Sequence, residues 1–413
     1  MSDYIPNELI IEILVRLPAQ SLLRFTSVCK SWHSLITSPS FITKHLNQTI
    51  TDRKRNSDKL LLRLYTDNDE KEHYLLCSDD EKFGDDYSEF EFPFKSLIGY
   101  FRIVGSCNGL LCLCDDYFGD THHIVLWNPS IRKSVTLPMP CKPRGPYMFV
   151  LGFGAHRMTH EHKVVRIVYE KEHINRFKVP PKVELYTQGI GSWREIDSAA
   201  APSYCIVEFM WSQAFVNGAV HWVAYDPSVV GGFRNLIVSF DMVSEAFSEM
   251  MIPPALAGRH PMCLSIKLFG ESLALFCGAE TGRSSCCIWV MKEYGVAESW
   301  TKLFSINLPG VLNKTLGFRQ NGEVLLSTTN NWLISYDPGT KTMSNTGIKG
   351  SSYSFNVDTF METLILVKEH TNVLEGQLNH FYEEASESKE GCEKQKKAYL
   401  LATYLWLHVV MYG

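Results

Sequence analysis

The residues most able to do chemistry come first. His156, His160 and His162 crowd into AHRMTHEHK, a spacing that could hold zinc if a second ligand pair stood nearby. None does, and the stretch reads as a polar loop between strands, so no metal is expected. His221, beside Trp222 in AVHWVAY, has the pKa range of a general base. In so apolar a strand, however, a core imidazole satisfied by backbone is the expectation. Asn128, Asp241 and Asp337 stand at strand-to-turn junctions, where a short acceptor caps the turn. Trp193, Trp289, Trp300 and Trp332 recur late in successive stretches, as packing residues between repeated units would. The 12 cysteines lie scattered through the chain, many in apolar runs (Cys107, Cys112, Cys114, Cys263, Cys277, Cys286, Cys287), without C-x-x-C pairs, and read as small core residues. No G-x-S-x-G, Walker loop, Rossmann fingerprint or H-E-x-x-H is present. Neither a catalytic residue nor a cofactor is expected.

What could be positioned instead is a docking surface, carried by residues 5–46. Pro6 and Glu8 signal a helix start; Leu9, Ile10, Ile13, Leu14 and Leu17 then recur at helical spacing, and Pro18 ends the run. Leu22, Leu23 and Phe25 form a second apolar set, and Val28, Cys29, Trp32, Leu35 and Ile36 a third. Ser38-Pro39 opens a further helix carrying Phe41, Ile42 and Leu46. Three or four short helices cannot bury that many large apolar side chains alone. Part of their surface is expected to meet another protein.

These residues resemble an F-box in its plant form: Ile5-Pro6-x-Glu8-Leu9, Ile13-Leu14, Arg16-Leu17-Pro18, Ser21-Leu22-Leu23-Arg24-Phe25, Val28-Cys29-Lys30-Ser31-Trp32 and Leu35-Ile36. Ile5 stands where Leu is commoner, and Ala19-Gln20 and Thr26-Ser27 replace more usual neighbours, but no anchor is lost. The resemblance implies docking on a Skp-type adaptor and, through it, on a cullin and a RING subunit. It assigns the adaptor contact to Ile5, Pro6, Leu9, Ile10, Ile13, Leu14, Leu17, Pro18, Leu22, Leu23, Val28, Cys29, Lys30 and Trp32.

The whole chain has 413 residues, 45% of them hydrophobic and 12% aromatic, enough for a large core in two or more units. A net charge of −5 without a basic stripe argues against nucleic acid as a partner. The start, MSDYIPNEL, has no secretory signature, so a reducing compartment, cytoplasmic or nuclear, and free thiols are expected.

Four segments are expected: helices over 1–46, an acidic connector over 47–96, a β domain over 97–370 and a charged, then apolar, tail over 371–413. The connector contains LLLRLYT and HYLLCS, which read as weak strands. Between Asp67 and Glu91, 11 acidic residues face only Lys71 and Lys82, a density that points to exposed loop. The tail ends in AYLLATYLWLHVVMYG, shorter than the ~20 residues of a membrane-spanning helix. A closing strand or a packed helix is its expected state, with a tail anchor as the alternative, and a membrane partner is not expected.

From residue 97 onward, short strand-like runs alternate with turn signals. Asn108-Gly109, Asn217-Gly218 and Asn321-Gly322 each precede a strand, a loop and a second strand. Weaker copies lie near 162 and 271. The period of about fifty residues is that of a kelch-type propeller blade. Five or six units give an all-β propeller-like domain behind a small all-α domain, an α+β multidomain chain; a pair of β-sandwiches is the alternative.

A second set of motifs resembles the plant F-box-associated domain: Gly105-Ser106-Cys107-Asn108-Gly109-Leu110, Trp127-Asn128-Pro129-Ser130, Lys163-Val164-Val165-Arg166, Ser192-Trp193-Arg194, Asn217-Gly218-Ala219-Val220-His221-Trp222, Phe240-Asp241 and Glu298-Ser299-Trp300-Thr301-Lys302-Leu303. That family includes receptors in pollen self-incompatibility and in turnover of immune receptors. The resemblance implies a non-catalytic substrate receptor of a ubiquitin ligase, in which proximity does the work: the helices hold the adaptor, the β domain holds a target. A non-degradative scaffold and a propeller enzyme are the rival expectations.

Overall fold

The computed structural model describes residues 6–366 except 54–58, 95–100, 118–120, 142, 144, 174–175, 198–200, 207–211, 280–284 and 352–353. The tail over 371–413 therefore lies outside the described residues.

Four helices open the chain: α1 (Asn7–Leu14), α2 (Ala19–Phe25), α3 (Lys30–Ile36) and α4 (Pro39–Arg53). Pro6 and Pro18 are not the first and last members of one helix. Each caps a helix start in extended geometry, its carbonyl accepting the N–H groups of Leu9 and Ile10, or of Ser21 and Leu22. A proline lacks its own N–H, so it loses nothing by standing there. Cys29 caps α3 by accepting from the Trp32 N–H through Sγ, and Ser38 caps α4 by accepting from the Phe41 N–H.

Among the described residues twenty-six strands follow, in six antiparallel sheets. The chain first lays down β1 (Lys59–Thr66), β2 (Lys71–Ser78) and β3 (Tyr87–Phe90). The next sheet is β4 (Arg102–Cys107), β5 (Leu110–Tyr117), β6 (Thr121–Asn128) and β7 (Lys133–Thr136); another is β8 (Tyr147–Ala155), β9 (His162–His173), β10 (Arg176–Phe177), β11 (Lys182–Thr187) and β12 (Ser192–Ile196). Then come β13 (Cys205–Ile206), β14 (Ala214–Val216), β15 (Ala219–Tyr225), β16 (Asn235–Asp241) and β17 (Phe247–Met250), followed by β18 (Leu264–Phe269), β19 (Ser272–Gly278), β20 (Ser285–Met291) and β21 (Trp300–Asn307). The last complete blade is β22 (Leu312–Phe318), β23 (Val324–Thr328), β24 (Trp332–Asp337) and β25 (Thr342–Lys349). Finally β26 (Asn356–Thr359) pairs with β1, Leu61 opposite Asp358. The sixth blade is thus one strand from the end of the domain and three from its beginning.

The first strands of successive blades are neighbours: β4 and β8, β14 and β18, β18 and β22, β22 and β26, β26 and β4, and the remaining pair of blades meets through β15 beside β8. That closes a ring, the six-bladed β-propeller, which leaves few free sheet edges. Apolar cores lie between blades. Leu62 and Leu64 of β1 pack with Leu325 and Leu333, whereas Leu61 packs on the other side with Leu111, Leu113 and Trp127. Alternation along one strand feeds both interfaces.

The segment expected to be a connector, 47–96, is corrected by this closure. Its first part completes α4, and residues 59–90 supply three strands of the sixth blade. The acids that suggested a loop sit mostly in the turns at 67–70 and 79–86 and on the outermost strand β3, where they meet solvent. Leu60, Leu62, Tyr74, Leu75 and Cys77 between them are buried.

The helices share a core with the propeller. Leu14, Val15, Ala19, Leu22, Ile36 and Phe41 lie in the same cluster as Val104, Cys112, Leu126, Ile131, Phe149 and Leu364. Most of the apolar surplus expected to need a foreign partner is therefore covered by the chain's own β domain. Among the described residues no helix is long and apolar enough to cross a membrane.

Candidate functional site

The arrangement of α1 decides which residues can dock. Ile10 and Leu14 of α1, with Leu17 in the turn that follows it, point into the shared core, while Leu9 and Ile13, four apart, form another stripe that stays in solvent at 54% and 57% exposure. Val28, between α2 and α3, is 61% exposed, and Pro6, Pro18, Cys29 and Lys30 are exposed too. Ile10, Leu17, Leu23 and Trp32 are half-buried. Leu14 and Leu22, both assigned to the adaptor contact by resemblance, are buried at 2% and 0%. They lie in the core shared with the propeller rather than on the exposed surface of the helices. Ile5 lies outside the described residues. Behind the exposed stripe, Lys44 of α4 donates to the Glu12 carboxylate and His45 is hydrogen-bonded to the Leu17 carbonyl at 3.0 Å, tying α1 to α4.

The helices occupy one face of the ring. Every blade is an up-and-down sheet, so its first and third turns lie at one end and its second turn and outgoing link at the other. The first blade after β3 presents Asn108-Gly109 and the short 3-10 turn Pro129–Ile131 on the helix side, the latter against α2. On the same side His160, in the turn between β8 and β9, is hydrogen-bonded to Asn47 of α4 at 2.9 Å.

Two sequence motifs converge there. Asn128, fully buried, accepts from the Ser130 N–H at 3.0 Å, the expected turn cap. Its amide also donates to the carbonyls of Thr363 (3.0 Å) and Ile365 (2.8 Å). Thr363 in turn donates to the Asn108 carbonyl at 3.1 Å. A Cβ on Gly109, whose φ is +79°, would stand 2.5 Å from the Met361 carbonyl oxygen. The Asn-Gly turn and the Trp-Asn-Pro-Ser turn thus form a clasp around residues 361–365. Sequence reasoning saw two local turns; the partner segment is more than 200 residues away and left no local signal.

The histidines are spent on structure. His162 is buried, stacked on Phe153 and hydrogen-bonded to the Cys107 carbonyl and to Gln188. Burial pushes its pKa down to about 4. His156 accepts from the N–H groups of Met158 and Thr159. His221 is bonded to the Ala214 carbonyl at 3.1 Å and the Tyr294 hydroxyl at 2.9 Å; burial takes it, too, down to about 4. Among the described residues no three His, Cys, Asp or Glu side chains are grouped to hold a metal. Among the described residues no cysteine is held in a disulfide, and burial lifts Cys77 and Cys205 to about 11, which keeps them as thiols. Arg166, at 1% exposure, donates to Glu184 and to the Cys141 carbonyl and lies over the Tyr147 and Phe149 rings, tying the link between β7 and β8 to its blade.

The opposite face is free of the helices. There the turn over Thr328–Asn330 and the link at Gly310-Val311 border a groove of about 250 Å³ with Trp332, Ile334 and Met343 in its walls, Lys349 lying 5.5 Å from the Trp332 ring centre. Trp300, by contrast, is buried and donates to the Met251 carbonyl, and Trp193 packs against the shared core. Trp332 departs from the expected packing between blades: it borders this groove and belongs to none of the apolar cores described. The turn between β15 and β16 adds Val229 and Val230, the latter 98% exposed.

Residues 3–44 match the F-box domain family, and residues 87–373 match the F-box associated beta propeller domain family. The chain is an F-box protein with an F-box-associated propeller. Similar proteins include the Arabidopsis thaliana F-box protein At3g07870, 31% identical over 81% of this chain and 85% of the relative. F-box protein CPR1 of the same plant is 28% identical over 94% of each chain. An Arabidopsis F-box/kelch-repeat protein, At3g23880, is 29% identical over 74% of this chain and 80% of its own length. In this F-box protein the propeller family match begins at residue 87, yet the blade it ends on starts at Lys59. F-box and propeller are joined both by a shared core and by that strand order.

Proposed function

We propose that this F-box protein is the substrate-recognition subunit of a Skp–cullin–F-box ubiquitin ligase. The observation that carries the reading is the division of α1 into two stripes. Ile10, Leu14 and Leu17 complete the F-box's attachment to its own propeller, and Leu9 and Ile13, with Val28, are left as unpartnered anchors for a Skp-type adaptor. The cullin and RING subunit then come with the adaptor. A target protein docks on the propeller face opposite the helices, where the Trp332 groove and the Val229-Val230 turn lie, and tethering raises the local concentration of its lysines at the ubiquitin-charged enzyme. Degradation of that target is the proposed consequence.

The test is affinity purification of the full chain under proteasome inhibition, wild type beside Leu9→Ala/Ile13→Ala/Val28→Ala. Adaptor and cullin should co-purify with wild type and be lost from the triple variant, while the bound target is retained by both. Undiminished adaptor in the triple variant sinks the docking reading. A target whose level does not change with proteasome inhibition sinks the degradative one.

A further inference from the structure

Turns are usually polar, yet two joined turns on the helix side of the ring carry bare apolar side chains. Met158, in the turn between β8 and β9, is 77% exposed, and Ile190, in the turn between β11 and β12, is 66% exposed. Among the described residues only Val230 leaves a larger share of a large apolar side chain in solvent. Single exposed apolar residues are ordinary. These two stand on turns bonded to each other: the Glu161 carboxylate of the first accepts from the Gly189 N–H of the second at 3.1 Å, and the Gln188 N–H donates to the His162 carbonyl at 3.0 Å.

Both turns are fixed in place. His156 Nδ1 accepts from the N–H groups of Met158 and Thr159, and the Thr187 carbonyl accepts those of Ile190 and Gly191. The next blade buttresses the pair, because Glu245, in the turn between β16 and β17, accepts from Lys163 at 2.7 Å and from Arg194. A backbone already ordered costs a partner little to bind.

This ledge runs into the exposed side of the F-box. His160 of the first turn is hydrogen-bonded to Asn47 of α4 at 2.9 Å. Lys44, one turn back along α4, donates to Glu12 of α1, and Glu12 adjoins Leu9 and Ile13 on the side of α1 away from the core. Glu12, Lys44 and Asn47 are all exposed, so one surface continues from the α1 stripe across α4 to Met158 and Ile190. The side chains of Leu9, Ile13 and Val28 are a small share of the roughly 800 Å² per partner that a stable complex covers. An adaptor seated on them needs more surface, and the propeller offers it at the border of the F-box.

We propose that Met158 and Ile190 form a second, apolar contact for the Skp-type adaptor, which is then held by F-box and propeller together. The inference rests on the adaptor reading and adds to it that the β domain takes part in docking. The adaptor surface that meets these two side chains is apolar. Contact on both parts leaves the opposite face, with the Trp332 groove, clear for a target.

Calorimetric titration of the purified full chain with an Arabidopsis thaliana Skp-type adaptor tests this, with thermal unfolding of each variant as the control on folding. Met158→Ser/Ile190→Ser should weaken adaptor binding by roughly tenfold or more, while its unfolding midpoint stays at the wild-type value because both side chains are exposed. Val229→Ser/Val230→Ser, on the free face, should bind as wild type. If Leu9→Ala/Ile13→Ala/Val28→Ala loses the adaptor while Met158→Ser/Ile190→Ser binds undiminished, the second contact is overturned and the adaptor reading stands. If wild type itself does not bind, the adaptor reading falls and this inference with it. An equal loss in Val229→Ser/Val230→Ser overturns the placement of the contact. Sedimentation of the chain without adaptor tests the other occupant: a wild-type dimer that Met158→Ser/Ile190→Ser dissolves, with adaptor affinity unchanged, assigns the ledge to a second copy and overturns the proposal.

Discussion

Asn128 and Thr363, 235 positions apart, are joined by two hydrogen bonds, from the Asn128 amide to the Thr363 carbonyl at 3.0 Å and to its hydroxyl at 3.3 Å. The same amide reaches Ile365. One turn of the first blade after β3 therefore holds the segment that follows the ring-closing strand β26, in the layer between propeller and helices where Leu364 and Leu366 join the shared core.

Asn128→Leu keeps the branched heavy-atom skeleton and removes the amide donor and the turn cap. Two buried carbonyls are then left without their amide, at about 1–3 kcal/mol each. The expected outcome is a loss of roughly 3 kcal/mol in urea unfolding. Unchanged stability would show that water or backbone replaces the clasp.

Gly109→Ala should destabilise through the same clasp. Its φ of +79° disfavours any L side chain, and the added Cβ meets the Met361 carbonyl at 2.5 Å. About 2 kcal/mol is expected, by analogy with overpacked or strained sites. In the Asn128→Leu background the cost should shrink, because the segment it collides with is already loosened; a double-mutant cycle reads the coupling.

The two stripes of α1 should separate cleanly. Leu14→Ala opens a cavity in the shared core and should cost about 2–5 kcal/mol. Leu9→Ala and Ile13→Ala change exposed surface and should stay within about 0.5 kcal/mol of wild type, yet weaken adaptor binding, each anchor being worth about 1.5–3 kcal/mol if fully buried by the adaptor. Equal stability losses on both stripes would contradict the arrangement.

Acid should weaken the propeller through His162 and His221. Both have folded pKa values near 4, against 6.5 for the free side chain. Between those values the unfolded chain takes up protons that the folded chain refuses, so stability falls as pH drops from 6.5 toward 4. Unfolding free energies measured at pH 7 and pH 5 in wild type and in His162→Gln/His221→Gln check this: the pH dependence should be shallower in the variant, even though its stability at pH 7 is also reduced.

Local signals in the chain were strong where structure is local. The cap signal at Ser38, the period of about fifty residues and the Asn-Gly turns all have counterparts in α4 and in the blades. The acids between Asp67 and Glu91 misled because charge density reports exposure, and turns and an outermost strand are exposed inside a blade as much as in a linker. Trp332 misled because a tryptophan in a strand reads as core whether it faces a neighbouring blade or a groove.

By itself the amino-acid sequence determined that short helices with apolar faces precede a repetitive β domain, because helix caps, apolar periodicity and turn residues act over a few positions; the F-box reading came from the resemblance of its motifs. Tertiary structure alone decided that β26 closes the ring with β1, that Asn128 grips Thr363, and that Leu14 and Leu22 face inward while Leu9 and Ile13 face out. Each of those depends on which distant segments become neighbours when the ring closes, and no short window of sequence carries that information.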